Sequence, residues 1–382
     1  MVKITIKSNN FKRGPGYWKF NASLLTDDEF LNKMNDLIEA HFDEYSYESA
    51  ITAWETMKFK IKSACIAFSK KHSNTNKSHR HHLITALYAA EEKLARNPDQ
   101  EKLQRQTQNL KKDIELKELS IARGAQIRSR VRWIEEGEKN TKYFLNLEKQ
   151  RGSNNTISSL KINQQSTDDP SEILQEIRRF YTNLYKKDTL TEENRNIKNR
   201  YLAEETYPTL SEEEKQRCEK VITENELTEA LNKLNTNSAP GSDGITPAFY
   251  KQFWGKLKQP FHRCILECAT EGMLSYSMRK GIITLIHKGN ELDRDNLSNY
   301  RPITLTNTDY KILTKALSIR FQNVIKTIIS EDQAGFIKGR NITSHIRLID
   351  DITSHLRKQN APGALLALDF FQRLLIVFAK SA

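Results

Sequence analysis

Lys288 and Arg301 flank a polar, acidic stretch (290–298) lying between two short apolar runs, Ile282-Ile283-Thr284-Leu285-Ile286 and residues 300–306. The pattern predicts two strands joined as a hairpin, with Lys288 leaving the first and Arg301 entering the second. On paired strands, a compact ammonium and a planar guanidinium fork lie close enough to hold one polyphosphate. Exposed hairpins also carry such cations with no ligand at all. Asp369 is the next candidate, because it ends the apolar run Leu365 to Leu368. A carboxylate at the C-terminal end of a strand can hold Mg²⁺ against a substrate phosphate, or simply cap a turn.

A third feature is basic. Arg123, Arg128, Arg130 and Arg132 fall in a stretch without any acid. They are either an exposed helix face or a stripe that contacts phosphates. The chain as a whole agrees with a polyanionic partner: 60 Lys+Arg face 48 Asp+Glu, a formal net charge of +12 over 382 residues. Such a balance favours nucleic acid over membrane.

Other chemistries find no support. No Gly-x-Ser-x-Gly elbow, Walker-type lysine loop or Gly-x-Gly-x-x-Gly fingerprint occurs. Cys264 and Cys268 sit one helical turn apart, but only His262 lies near, so the pair reads as small core residues and not as a zinc site. Four cysteines in all make no disulfide framework, which fits a reducing compartment. No run approaches a membrane span, and the N-terminus lacks the apolar core of a secretory signal. The expectation is an intracellular protein with no membrane role.

The elements that must position these groups follow from pattern. Residues 2–6 alternate like a single strand. Residues 25–130 read as polar helix, with a helical hairpin turning at Pro98 between arms near 82–96 and 99–132. His72, His79, His81 and His82 fall in a Lys/Ser/Asn-rich loop. Residues 152–170 hold a turn or short hairpin, a helix opens at Pro170, and 186–225 reads as an irregular charged connector. A short helix (224–234) precedes the loop Asn237-Ser238-Ala239-Pro240-Gly241-Ser242-Asp243-Gly244, dense in turn chemistry. Residues 247–271 are helical, interrupted near Pro260. Leu313, Leu317, Phe321, Val324 and Ile328 form an apolar stripe on one long helix, and Ile342, Ile346, Ile349, Ile352 and Leu356 form a second.

Taken in order, NSAPGSDGI (237–245), GIITLIHKG (281–289), NYRPITL (299–305), DYKILTKALSIRF (309–321), QAGFIKGRNI (333–342) and LLALDF (365–370) resemble consecutive blocks of reverse transcriptases of the LINE-type, non-LTR retrotransposon class. VRWIEEGEKNTKYFLNLEKQR (131–151) resembles the N-terminal extension of that polymerase, and RGPGYWKFN (13–21) the segment after an apurinic-type endonuclease domain. The resemblance implies an α+β fold: a helical N-terminal linker and extension, then the fingers and first palm strand of a right-hand polymerase. Its divisions are 1–24 (endonuclease remnant), 25–130 (helical linker), 131–220 (extension), 221–370 (fingers and start of palm) and 371–382 (tail).

The resemblance also implies roles. Lys288 and Arg301 would reach the triphosphate of an incoming deoxynucleotide, and Asp369 would be the first metal-binding, catalytic aspartate. Lys338 and Arg340, with Gln333, Gly335 and Phe336, match a block associated with fingers and template. Arg123, Arg128, Arg130 and Arg132 would help grip RNA. RNA template and DNA primer are the implied partners, and Mg²⁺ the implied cofactor. The alternative is a non-catalytic nucleic-acid-binding protein derived from such an element, and a third reading is a helical scaffold with no nucleic-acid role.

One departure matters. The family follows its first aspartate with Lys-Ala-Phe-Asp, and later supplies an aromatic-x-Asp-Asp box. Here Asp369 is followed by Phe370-Phe371-Gln372-Arg373-Leu374-Leu375-Ile376-Val377, and the 382 residues contain no such box. Were Gln372 to Val377 encoded CAA-AGG-CTT-TTG-ATA-GTG, the frame starting at the third base would read Lys-Ala-Phe-Asp-Ser. The expectation is a fragment cut after the first palm aspartate, with a frameshifted tail whose apolar run has no partner strand.

Overall fold

The computed structural model describes residues 17–45, 49–129, 157–186, 191–204, 208–289 and 292–361, and of 122–129, 201, 364–369 and 374–379 the backbone alone. Two compact units divide the chain: Met1–Thr189 with Thr223–Leu313, and Leu190–Ile222 with Thr314–Ala382. The strand expected at residues 2–6 lies outside the described residues.

The first unit is built on α1 (Asp28–Glu44), α2 (Ala50–Arg96) and α3 (Glu101–Ser129). Asp27 caps α1 by accepting the Phe30 N–H at 3.0 Å, and Ser49 caps α2 through the Thr52 N–H. The predicted hairpin arm at 82–96 is the end of a helix that starts at Ala50, so the expected loop around His72 and His82 is helical. Ser, Asn and His favour loops only weakly, and here the antiparallel α3 decides. Arg80 Nε meets Glu118 at 2.7 Å, Lys117 reaches Asn76 at 2.5 Å, and Lys111 pairs with Glu91 at 2.9 Å.

A hairpin of β1 (Leu160–Ile162) and β2 (Gln165–Thr167) turns through Asn163 and Gln164, both at positive φ. It is followed by α4 (Pro170–Leu184). The second unit holds α5 (Glu192–Glu204) and α6 (Glu212–Glu219), so the expected irregular connector carries two helices; a Ser211/Glu214 capping box starts the second.

Back in the first unit, α7 (Glu224–Lys233) leads through the 237–245 loop to α8 (Pro247–Glu271). Pro260 does not interrupt α8. The missing N–H costs one hydrogen bond, while its neighbours Leu257, Phe261 and Cys264 are fully buried and hold the helix in place. Around α8 collect Phe30 and Met34 of α1 and Trp54, Met57, Ile61 and Cys65 of α2, with ring pairs Trp54–Phe261 at 4.9 Å and Phe30–Phe68 at 5.3 Å. Glu267 of α8 also accepts the Ala50 N–H at 2.6 Å and the Ile51 N–H at 3.3 Å, an anion seated on the N-terminus of α2. Cys264 and Cys268 are core residues, as the sequence reading has them, and burial pushes the Cys65 thiol up to about 12.

β3 (Gly281–His287) and β4 (Tyr300–Thr306) then pair antiparallel, and α9 (Thr308–Gln322) follows at once. In the second unit the expected long helix is broken: α9 ends at Gln322 and α10 (Ile325–Ile328) is separate. Leu317 and Phe321 are exposed and line an open groove with Cys218. α11 (Thr343–Lys358) forms as predicted, but Ile346, Ile349 and Ile352 of its stripe are exposed. The backbone of β5 (Ala364–Asp369) pairs antiparallel with β6 (Leu374–Ala379), so the tail run expected to lack a partner strand has one. Among the described residues no helix is long and apolar enough to cross a membrane.

Candidate functional site

The β3–β4 register pairs Ile286 with Arg301, and the ladder extends one step further through the Lys288 N–H to the Asn299 carbonyl at 2.9 Å. Side chains alternate across a strand, so Lys288, Ile286 and Arg301 share one face, the two cations standing diagonally. Both are exposed, and neither forms an ion pair with a described residue. Leu285, on the opposite face, packs on the cluster of Leu160, Ile173 and Leu297. One side of the hairpin is therefore supported by β1 and α4 while the cationic side faces solvent.

The loop that closes the hairpin is also held. Lys161 of β1 donates its backbone N–H to the Asp295 carbonyl at 2.9 Å and ion-pairs with the Asp295 carboxylate at 2.9 Å. Tyr300 donates its hydroxyl to the Arg294 carbonyl at 2.6 Å, and its ring meets His287 edge-on at 5.1 Å.

The other end of the hairpin enters a buried polar network that sequence reasoning missed. Asp309 Oδ2 accepts from Lys58 Nζ at 2.6 Å and Trp54 Nε1 at 3.1 Å. Lys58 also bonds the Ser277 hydroxyl and lies 3.3 Å from Glu55. Glu55 accepts the Ser275 and Ser277 hydroxyls at 2.6 and 2.7 Å and the Ser277 N–H at 3.2 Å. Asn307 donates to the Ser277 carbonyl at 3.0 Å and accepts the Asp243 N–H at 3.2 Å. Ser275 and Ser277 precede β3; Asn307 and Asp309 follow β4. One turn of α2 thus ties together both ends of the hairpin's base. A lysine inside the apolar α2 stripe of Trp54, Met57 and Ile61 was the available signal.

The electrostatics follow from burial. Desolvation works against the Lys58 charge, but Asp309 and Glu55 outweigh it and hold the ammonium above its ordinary range. Burial alone would raise Glu55; Lys58 and the serine hydrogen bonds bring it below its usual value. Asp243 goes the other way, raised to about 7 by burial and then by the Asp309 charge. Its Oδ1 accepts the Ile245 N–H at 3.0 Å, which shapes the 237–245 loop. In that loop Gly244 adopts φ +75° against Trp18, and its carbonyl accepts the Phe20 N–H at 2.9 Å.

In the second unit, Lys338 exposes its side chain while its N–H donates to Gln322 Oε1 at 3.1 Å. Arg340 is turned onto its own loop, donating to the carbonyls of Ser330, Gln333 (2.9 Å) and Ile329 (3.4 Å). Two residues before Lys338, Phe336 is fully exposed at φ +64°, a strained conformation for an aromatic residue. Asp369 closes β5 opposite Leu374, its side chain outside the described residues. Arg123 and Arg128 lie on the backbone of α3 with side chains likewise outside, and Arg130 and Arg132 fall outside altogether. Among the described residues no group of three or more His, Cys, Asp or Glu side chains that could hold a metal ion occurs.

No family model matches the chain. It is 32% identical over 360 residues to the transposon TX1 uncharacterized 149 kDa protein of Xenopus laevis. The alignment covers 92% of this chain and 26% of the Xenopus protein, so the chain spans about a quarter of its relative's length. By sequence, this chain is a relative of a transposon-encoded protein.

Proposed function

We propose that this chain is the fingers-bearing portion of an RNA-directed DNA polymerase of a LINE-type, non-LTR retrotransposon. The observation that carries the reading is the shared solvent face of Lys288 and Arg301, on a hairpin braced at both ends. Support comes also from the order of the sequence blocks and from the similarity to a transposon protein. On this reading Arg301 grips two phosphate oxygens of a deoxynucleotide as a fork, while Lys288 adds a mobile point charge. Such cations stabilise the charge that builds on the departing pyrophosphate. RNA template and DNA primer are the proposed partners, and Asp369 the proposed first palm carboxylate.

The test is photo-crosslinking of radiolabelled dTTP to the 382-residue chain. Arg301→Ala and Lys288→Ala should each reduce labelling at least fivefold with unchanged melting, since both side chains are exposed; equal labelling of variants and parent overturns the reading. The isolated 382-residue polypeptide should not extend a primer on an RNA template, because Asp369 alone cannot hold two metal ions.

A further inference from the structure

From Thr56 through Ala90 the chain contains no acidic residue, yet carries seven Lys and Arg. Four of these are ion-paired with acids from elsewhere: Lys58, Lys60, Lys71 and Arg80. Lys62 donates to the Ser242 carbonyl at 3.3 Å. Lys70 and Lys77 remain, exposed and without an ion pair among the described residues.

They do not stand alone. Phe59, Lys70, Asn74, Lys77, His81 and Tyr88 follow one another at spacings of 11, 4, 3, 4 and 7 residues, which keeps all six on one face of α2. That face lies opposite the buried Trp54, Ile61, Cys65 and Leu83. Phe59 is 71% exposed and Tyr88 70%, unusual for rings on a helix with so much core available.

Aromatic rings at both ends of a cationic stripe suit one partner better than others. Phe59 and Tyr88 stand about 43 Å apart along the helix axis. They cannot insert together as one apolar patch, and the exposed Lys70, Asn74, Lys77 and His81 between them are polar, with Ile66 and Ile84 at the edge of the face half-buried, so neither a lipid surface nor an apolar helix groove is matched. A flexible polyanion with exposed flat bases is. Asn74 and His81 add groups able to hydrogen-bond a ribose hydroxyl.

We propose that this face of α2 binds single-stranded RNA, with Lys70 and Lys77 on phosphates and Phe59 and Tyr88 stacking on bases. The surface is separate from Lys288 and Arg301 and does not depend on nucleotide binding there.

The test is fluorescence anisotropy of a labelled oligouridylate with the 382-residue chain across a salt series. Lys70→Glu with Lys77→Glu should weaken binding at least tenfold and flatten the log–log salt slope by about 1.4, at roughly 0.7 per phosphate contact. Phe59→Ala with Tyr88→Ala should weaken binding about tenfold and leave the slope unchanged, because stacking releases no counterions. All four side chains are exposed, and an unchanged thermal melt confirms that the variants fold. Parent-like binding by either double variant overturns the proposal. So does equal affinity for the DNA oligomer of the same sequence, or anionic vesicles that bind the parent and displace the RNA.

Discussion

Lys58 on α2 and Asp309 on α9 are 251 residues apart in sequence, yet Nζ and Oδ2 meet at 2.6 Å with side chains 5% and 0% exposed. The pair makes the N-terminal helices part of the same body as the hairpin. It sits where β4 passes into α9, so whatever holds Asp309 holds the base of the strands carrying Lys288 and Arg301.

Removing one partner of such a pair strands the other. Lys58→Met should cost about 3–5 kcal/mol, because the Asp309 carboxylate is left buried without a counter-charge on Oδ2, holding only the neutral Trp54 and Tyr310 N–H donors. Lys58→Met combined with Asp309→Asn should recover much of that loss, since no buried charge remains. Urea unfolding of the two variants is the measurement; a single variant as stable as the parent would show that the charges contribute nothing.

Asp243 gives the pH dependence. Its carboxyl, raised to about 7, lies among Asp309, Lys58 and Lys62, and its charge also acts on Tyr17 and Lys311. The folded chain therefore holds this proton more tightly than the unfolded chain does. The resulting stability is complete below about pH 4 and is lost as pH rises through about 7. Glu55, held below its ordinary value, acts with the opposite sign and loses its contribution as pH falls. Asp243→Asn keeps the acceptor for Ile245 and should flatten the decline between about pH 4 and 7, read as urea midpoints.

Gly244 and Gly255 should respond in opposite directions to alanine. At Gly244 a Cβ would sit 2.3 Å from the Trp18 ring at φ +75°, so Gly244→Ala should cost about 2 kcal/mol or more. Gly255, inside α8 with nothing within 4 Å, should gain about 0.5–1 kcal/mol. Thermal melts of both decide.

Arg123, Arg128, Arg130 and Arg132 provide an independent check on nucleic-acid binding. Replacing all four by Ala should flatten the salt dependence of RNA affinity by up to about 2.8, again at roughly 0.7 per contact. An unchanged slope would make them a solvated face.

Sequencing the locus tests the tail. The alternate frame beyond the Asp369 codon should encode Lys-Ala-Phe-Asp, followed later by an aromatic-x-Asp-Asp box. Their absence removes the frameshift account and leaves β6 as the sequence this strand is meant to have.

The hairpin could be read from sequence because its information is local. Alternating Ile282 to Ile286, a polar turn and Tyr300 to Thr306 define both strands, and the register follows from the turn. The stretch around His72 to His82 could not, since Ser, Asn and His read as loop until Glu118 and Lys117 of α3 are laid alongside. Arg340 entered through the resemblance of 333–342 to a family block, and its hydrogen bonds to the carbonyls of Ile329, Ser330 and Gln333 were not legible in sequence, because an arginine's carbonyl partners leave no pattern in the chain. Lys58 and Asp309 were hidden by distance along the chain. Their pairing is a property of the packed body, written in neither segment alone.

Between Ala50 and Arg96, α2 contains neither glycine nor proline. It is a single unhinged rod, clamped to the hairpin base near Lys58 and free along the face of Lys70 and Lys77. A rod of this kind works as a gauge. The 19 residues from Lys58 to Lys77 fix a separation of about 28 Å and an angle of about 100° around the axis. Lengthening that interval by one residue would turn the outer face by about 100° while leaving the clamp intact. A four-residue insertion would nearly restore the angle and shift the reach by about 6 Å. Phase and reach can thus be varied separately in one helix, and the chain has kept a value for each.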